Sequence, residues 1–178
     1  MRHIIAFAAI ALAAAAPLGA ALAPGAKAPD FRTLGAIGGK AFKLHLYDQL
    51  KKGPVVLYFY PKAFTSGCTL EARAFSEAMP EFRKAGAQVI GMSADSLPDL
   101  KRFSVEACRS AFPVATASRD TIKAYDVMMP GVGMVKTMSN RTSYVIDRNG
   151  TITEVHSEMD WKDHVGKTLA AVRELKRK

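Results

Sequence analysis

Residues 53–72 read GPVVLYFYPKAFTSGCTLEA, and this stretch decides the fold. Its run 55–60 is continuously apolar, β-branched or aromatic, and is bounded by Gly53-Pro54 and Pro61. Such a run predicts a central strand that is buried on both faces. A sheet with strands of this kind needs a layer of helices on each side, so the stretch indicates an α/β architecture.

The segments around this strand alternate between helical and extended patterns. Residues 35–39 read as turns after an extended segment, and Asn149-Gly150 is a strong hairpin signal. The predicted helices cover residues 70–85, 97–110 (capped by Asp95 or Ser96), 120–127 and 161–176. Besides 55–60, the predicted strands lie near 42–46 and at 89–94, 112–115, 142–146 and 151–156. This order predicts a thioredoxin-like three-layer sandwich, with a mixed central sheet flanked by helices.

The composition is that of a single globular domain. The chain has 178 residues, with 25 Lys and Arg against 16 Asp and Glu, and a formal net charge of +9. Two cysteines are too few for a disulfide framework and cannot by themselves ligate a structural zinc. A charged fraction of 23% is close to the globular norm and excludes wholesale disorder. The positive balance alone fits a nucleic-acid binder, a membrane-surface protein or a basic enzyme.

Sequence signals for cofactors and nucleic acid are missing. There is no glycine-rich phosphate loop and no stripe of interleaved basic and aromatic residues. His45, His156 and His164 lack the spacing of metal ligands. We therefore expect no metal, no other cofactor and no nucleic-acid partner.

Residues 1–23 have the layout of a secretory signal peptide. A short positive start with Arg2 precedes an uncharged, alanine-rich run that ends in small residues. A membrane anchor is the alternative, but Pro17 and Gly19 interrupt the run. The sequence predicts cleavage, a mature domain over 24–178 without stable membrane insertion, and export to the periplasm. In such an oxidising compartment a cysteine pair can form a disulfide.

Cys68 follows the central strand at the start of the next helix, where open α/β sheets usually place their sites. The first turn of a helix has unpaired N–H groups and a positive dipole end, which stabilise a nucleophilic thiolate. Thr65 can hydrogen-bond the sulfur or a substrate oxygen, and Pro61, which has no N–H, can wall off the pocket. The alternative is that Cys68 is a small buried hydrophobic side chain.

Pro61, Thr65 and Cys68 reproduce the Pro-x-x-x-(Thr/Ser)-x-x-Cys motif of the peroxiredoxins. The chain resembles the bacterioferritin-comigratory, or Q-type, branch of that family, and the matching segments lie at 28–31, 57–61, 68–72, 89–95 and 141–147. The resemblance implies a thiol-dependent peroxidase that reduces hydrogen peroxide and organic hydroperoxides. Cys68 would be the peroxidatic cysteine and would become a sulfenic acid.

The resemblance also assigns roles to the neighbours of Cys68. Arg141 would keep the sulfur ionised and polarise the peroxide, Thr65 would orient the peroxide oxygens, and Pro61 would shield the sulfur. Without the resemblance, Arg141 reads as a solvent-facing residue of a hairpin. Glu71 stands where the branch often has an acid, so it either supports the arginine or is an ordinary solvated helix charge.

The second cysteine leaves the catalytic cycle open. Many Q-type members carry a resolving cysteine five residues after the peroxidatic one, which is Arg73 in this chain. Cys108 falls on the flank of the apolar face of the predicted helix 97–110, neither plainly core nor plainly exposed. Two cycles are therefore considered: an intramolecular Cys68–Cys108 disulfide, recycled by a thioredoxin-like donor, and a one-cysteine cycle with Cys108 merely packed. The branch resemblance implies a monomer or weak dimer.

Two other classes of function compete with a peroxidase. An exported thioredoxin-like disulfide exchanger or copper chaperone would need a second nearby cysteine, and a disulfide exchanger would carry it at position 65, where Thr65 stands. A non-catalytic binding module is the other alternative. The intact set of Pro61, Thr65, Cys68 and Arg141 argues against it.

Overall fold

The central strand β3 (Val55–Phe59) lies inside a seven-stranded sheet, and all five of its residues are buried. The computed structural model describes residues 21–130 and 137–177. The other strands are β1 (Arg32–Ile37), β2 (Lys40–His45), β4 (Gln88–Ser93), β5 (Val114–Thr116), β6 (Thr142–Ile146) and β7 (Ile152–Ser157). Their order is β2-β1-β5-β4-β3-β6-β7. Because β3 pairs in parallel with β4 and antiparallel with β6, the predicted mixed sheet is confirmed.

Helices cover both faces of this sheet. In the described residues they are α1 (Leu46–Leu50), α2 (Ser66–Lys84), α3 (Leu97–Glu106), α4 (Arg119–Ala124) and α5 (Lys162–Arg177). On one face, α2, α3 and α5 bury Phe75, Phe103 and Val172 in a common apolar cluster. On the other face, α1 and α4 bury Leu50 and Ile122 in a second cluster. The predicted three layers are therefore present.

The N-terminal hairpin differs from the prediction. β1 and β2 pair antiparallel, and the turn between them is Gly38-Gly39, with φ of 55° and 77°. Gly35 lies inside β1, where a Cβ would come within 3.0 Å of the Phe42 ring. Glycine is normally depleted in strands, which is why 35–39 read as turns, yet two of these glycines make the turn and the third permits close packing. The prediction of turns is wrong for residues 35–37, and α1 was not predicted.

Helix α3 is shorter than predicted. It ends at Glu106, and Arg109 and Ser110 have φ of 49° and 57°, a left-handed backbone that cannot continue a right-handed helix. Cys108 therefore lies in the turn after the helix, not within it. Ser96, one of the two predicted caps, accepts a hydrogen bond at the other end of α3.

The first described residues meet the edge of the sheet at β7. The N–H of Gly25 donates to the carbonyl of Ile152 at 2.8 Å, and the N–H of Leu22 donates to the Tyr144 hydroxyl at 3.2 Å. Most of the predicted signal peptide, residues 1–20, lies outside the described residues, so the boundary after residue 23 stays a prediction. None of the helices in the described part of the chain has the length and apolar character needed to span a bilayer.

Candidate active site

Cys68 lies in the first turn of α2, directly beyond the end of β3. The helix begins at Ser66, four residues earlier than predicted, and Thr65 is its N-cap residue with an extended backbone (φ −75°, ψ 154°). Cys68 is 2% exposed. The predicted position of Cys68 is confirmed, and the unpaired N–H groups of this turn favour a negative charge on its sulfur.

Arg141 reaches the sulfur of Cys68 from the neighbouring strand. It immediately precedes β6, whose first residue, Thr142, pairs with Phe59 at the end of β3. This register brings Arg141 to the edge of the sheet where Cys68 follows, and Nη2 donates to Sγ at 3.5 Å across 73 positions of sequence. Arg141 is only 4% exposed, so the solvent-facing interpretation is wrong.

The guanidinium is held on three sides. Nε donates to the Met159 carbonyl at 2.9 Å, Nη1 donates to Glu71 Oε2, and Nη2 faces Cys68. Although burial alone would lower the pKa of Arg141, the neighbouring Glu71 and Cys68 raise it, so the guanidinium stays charged. Glu71 is fully buried, so the acid supports the arginine and its interpretation as a solvated helix charge is wrong.

Gly67 makes room for this arrangement. A Cβ at this position would lie 3.2 Å from Arg141 Nη2 and 3.9 Å from Cδ1 of Trp161. The first distance is tighter than most side-chain contacts. The missing side chain therefore lets the guanidinium lie directly against the start of α2.

Thr65 and Pro61 lie in the segment that leads from β3 to Cys68. Among the described residues, neither forms a hydrogen bond with the Cys68 sulfur. The Thr65 hydroxyl is exposed and donates to the Lys62 carbonyl at 3.0 Å. Because that bond uses the hydroxyl proton, the oxygen lone pairs stay free to accept a hydrogen from a ligand. Pro61 is half-buried at the start of the same loop. Both lie in the segment between β3 and Cys68, and their roles stay predictions.

Asp95 fixes the loop between β3 and α2. Its Oδ2 accepts from the N–H of Ala63 at 2.6 Å and from the hydroxyl of Ser93 at 2.8 Å. Sequence reasoning considered Asp95 only as a helix cap and missed this function. The available signal was its place two residues after the end of β4, because β3 and β4 are parallel and end at the same edge of the sheet.

His164 on α5 lies behind Glu71 and was also missed. Its Nε2 donates to the Glu158 carbonyl at 2.9 Å, which leaves Nδ1 of the neutral ring to accept from the Ser143 hydroxyl at 2.8 Å. Nδ1 lies 3.8 Å from Glu71 Oε1. Burial lowers the pKa of His164 to about 4. No sequence spacing connects residues 71 and 164, so only the fold reveals this contact.

Cys108 is a free, fully buried thiol in the apolar cluster that also contains Cys68. Burial raises its pKa well above the ordinary thiol range. Tyr58 and Tyr60 belong to the same cluster, where burial raises the pKa of both hydroxyl groups. The sequence placed Cys108 on the flank of the apolar face, whereas the structure buries it completely.

A cavity of about 370 Å³ opens beside Arg141. Its lining includes Asn140, Ser157 and two methionines, Met129 and Met159. The guanidinium thus borders a space that is large enough for a small molecule and is partly apolar. Within residues 21–130 and 137–177, no three His, Cys, Asp or Glu side chains are grouped to hold a metal ion.

A mixed α/β sandwich with a thiol in the first turn of a helix, held against a buried guanidinium, defines a thiol-dependent oxidoreductase. Comparison with known proteins identifies the family. The profile of the AhpC/TSA family matches residues 24–155. Chloroplastic peroxiredoxin Q from Oryza sativa subsp. japonica is 34% identical over 152 residues, which cover 85% of this chain and 67% of that protein.

Solved structures agree with the sequence match. The crystal structure of peroxidoxin BcpB from Mycobacterium tuberculosis superposes with a TM-score of 0.76 at 31% identity, covering 85% of this chain and 97% of that chain. Peroxiredoxin Q from Xanthomonas campestris gives a TM-score of 0.68 at 27% identity, covering 80% and 90%. The chain belongs to the AhpC/TSA family of peroxiredoxins. It has the thioredoxin-like fold and is a thiol peroxidase of the thioredoxin-dependent type, which uses a peroxide and a thiol reductant.

Proposed function

We propose that this chain reduces hydrogen peroxide and organic hydroperoxides at Cys68, with Arg141 as the residue that activates both reactants. The supporting observation is the 3.5 Å contact between Arg141 Nη2 and Cys68 Sγ in a buried setting. A charged donor at this distance stabilises the thiolate, and its strength is greater because water is excluded. The partly apolar cavity beside Arg141 fits the alkyl group of an organic hydroperoxide.

The first chemical step forms a sulfur–oxygen bond and breaks the peroxide bond. The Cys68 thiolate attacks the nearer oxygen of ROOH, sulfur loses two electrons, and the leaving RO⁻ takes a proton to become an alcohol or water. Negative charge moves from sulfur to the leaving oxygen, and the guanidinium of Arg141 is placed to stabilise it. The free lone pairs of Thr65 Oγ1 accept the peroxide hydrogen, and Pro61 keeps solvent donors from the sulfur.

We propose that Cys108 resolves the sulfenic acid by forming a disulfide with Cys68 and releasing water. Both sulfurs belong to one apolar cluster, but Cys108 is fully buried, so its thiol reacts only after the turn beyond α3 opens. Non-glycine residues with positive φ flank both cysteines: Phe64 (65°) before α2, and Arg109 and Ser110 after Cys108. Such residues cost about 1 to 3 kcal/mol each and favour local opening.

A one-cysteine cycle is the second candidate, and the complete burial of Cys108 favours it. In that cycle an external thiol reduces the sulfenic acid directly. For either cycle we propose a thioredoxin-like donor and a monomer or weak dimer. We further propose that the enzyme is exported to the periplasm after loss of residues 1–23, which rests on the signal-like layout of that segment.

Peroxide consumption in the presence of a dithiol reductant tests the proposal. The wild-type protein is expected to turn over, and Cys68→Ser to be inactive; turnover by Cys68→Ser would exclude the proposed site. For the first oxidation of Cys68, measured in a single turnover, Cys108→Ser is the matched control, because it removes the other buried thiol and should leave that step unchanged in either cycle. Mass spectrometry after one equivalent of peroxide separates the two cycles: loss of two hydrogens indicates a disulfide, and a stable gain of one oxygen indicates a sulfenic acid.

A further inference from the structure

Phe64 is an exposed aromatic residue on a strained backbone, directly before the N-cap of α2. Its φ is 65°, and the residue is 40% exposed. The left-handed backbone is unfavourable for a side chain with a Cβ, and exposure of the ring to water is unfavourable as well. A residue that has both features needs a contact that compensates for them.

Two consecutive residues of α3 supply this contact. The ring of Phe103 meets the Phe64 ring edge to face, with 5.2 Å between the ring centroids. The guanidinium of Arg102 lies 5.0 Å from the centroid of the Phe64 ring. An edge-to-face aromatic pair and a cation–π contact are both attractive. The loop that leads to Cys68 is therefore fastened to α3 by one side chain, while the strain in its backbone favours release.

The backbone of Phe103 holds the turn that contains Cys108. Its carbonyl accepts a hydrogen bond from the N–H of Cys108 at 3.1 Å. The next carbonyl, that of Ser104, accepts from the N–H of Ser110 at 2.8 Å and closes the same turn. Phe103 thus contacts the loop before Cys68 through its ring and the turn of Cys108 through its carbonyl oxygen.

We propose that Phe64 is a positioning residue that keeps Cys108 enclosed until Cys68 has been oxidised. This inference deepens the proposed function and rests on the resolving role of Cys108. Phe64 lies four residues before Cys68, so unwinding of the first turn of α2 takes its ring away from Phe103. The turn of Cys108 then loses a support and opens. While the ring is in place, Cys108 stays an unreactive neutral thiol, because burial raises its pKa well above the ordinary thiol range.

The step that Phe64 controls is the condensation of the two cysteines. The Cys108 thiol gives up its proton, its sulfur bonds to the sulfur of Cys68, and the S–O bond of the sulfenic acid breaks. The leaving hydroxide takes up the proton and departs as water. No further oxidant is needed, because the peroxide has already removed two electrons from Cys68.

Labelling of Cys108 by a chromogenic aromatic disulfide reagent, in protein that carries Cys68→Ser, measures the opening directly. The chain has two cysteines, so Cys108 is then its single thiol, and the labelling rate reports the fraction of molecules in which it is accessible. Phe64→Ala should raise this rate about 10-fold, because it removes the aromatic pair and the cation–π contact together. Arg102→Gln removes only the cation and should raise the rate about threefold.

Three further variants separate this contact from a general loss of stability. Val105→Ala shortens an exposed side chain of the same helix and should leave the labelling rate unchanged. Ile122→Val leaves a small cavity in the cluster on the other face of the sheet, so it should lower the free energy of unfolding without faster labelling. In a Phe103→Leu background, Phe64→Ala should have little further effect, because the partner ring is already absent.

Single-turnover oxidation of the protein with both cysteines connects the contact to the reaction. Phe64→Ala should form the Cys68–Cys108 disulfide several times faster than the wild type, whereas the first oxidation of Cys68 should keep its rate. A merely structural role of Phe64 would not separate these two steps.

The inference is wrong if Phe64→Ala labels at the rate of its parent protein, or if Ile122→Val accelerates labelling as strongly. A full effect of Phe64→Ala in the Phe103→Leu background would also contradict it. In these cases a disulfide still forms in the protein with both cysteines, so the resolving role of Cys108 stands. Absence of a disulfide in the wild type would instead exclude that role, and the control by Phe64 with it.

Discussion

Arg141 serves as donor to three groups, and only an arginine has the geometry to do so. Arg141→Lys keeps the charge but cannot contact the Met159 carbonyl, Glu71 Oε2 and Cys68 Sγ together. The rate of Cys68 oxidation is expected to fall about 100-fold, the usual cost of losing an oriented donor to a developing anion. Single-turnover kinetics measure it, and Arg148→Lys, an exposed arginine of the β6–β7 turn, should leave the rate unchanged. Equal rates for both variants would contradict the assignment of Arg141.

At Gly67, a side chain affects the active site and the stability of α2 differently, so the two effects can be measured separately. Gly67→Ala should leave the free energy of unfolding within about 1 kcal/mol of the wild-type value, because the helix propensity that alanine adds in this first turn is opposed by its contact with the held guanidinium. Its Cβ would press on Arg141 Nη2 at 3.2 Å, so the oxidation rate should fall about three- to tenfold. Gly166→Ala in α5 meets no atom within 4 Å and should stabilise the protein without slowing the reaction. Parallel unfolding and kinetic measurements test both, and an unchanged rate in Gly67→Ala would refute the close contact.

At the scale of the elements, the turn after α3 controls access to Cys108. Ser110 has φ of 57°, a left-handed backbone conformation that is unfavourable for residues with a Cβ. Ser110→Gly should stabilise the closed turn by about 1 kcal/mol and slow the Cys68–Cys108 disulfide severalfold, while the first oxidation of Cys68 keeps its rate. Ser110→Ala retains the strain and serves as the control. The two steps are resolved by quenching with a thiol-trapping reagent, and faster disulfide formation in Ser110→Gly would contradict the opening step.

The sequence predicted the elements whose patterns are local. β3, β4 and the hairpin of β6 and β7 have continuous apolar runs or a strong turn signal, and Cys68 was placed correctly because strand end and helix start are adjacent in the chain. β1 was missed because Gly35 interrupts its extended pattern. The end of α3 was placed too late because the left-handed backbone at Arg109 does not alter the spacing of apolar residues.

The site could be predicted only in part because its contacts are long-range. The burial of Arg141 depends on the register between β6 and β3, which no single segment encodes. The resemblance to peroxiredoxins assigned Arg141 to the site, whereas the residue pattern alone predicted an arginine exposed to solvent. The contact between Glu71 and His164 joins α2 to α5 across 93 positions and had no signal in either helix. Helix wheels identify a buried face, but they do not identify the partner that meets it.

At the scale of the whole molecule, the buried carboxyl group of Glu71 makes stability depend on pH. In the unfolded chain a glutamate has a pKa of about 4.3, whereas in the folded protein burial raises the pKa of Glu71 to about 8. The folded state therefore binds more protons than the unfolded state between these values. The contribution of this proton to stability is complete below about pH 4 and is lost as the pH rises through about 8.

Denaturant unfolding at about pH 6 and about pH 9 measures this contribution. The free energy of unfolding of the wild-type protein should fall by about 2 kcal/mol more than that of Glu71→Gln over this interval, because the glutamine holds no titratable proton. Glu77→Gln, an exposed glutamate on the same helix, should follow the wild type. If Glu71→Gln loses as much stability as the wild type, the proton does not reside at Glu71 and its carboxylate is charged throughout this interval.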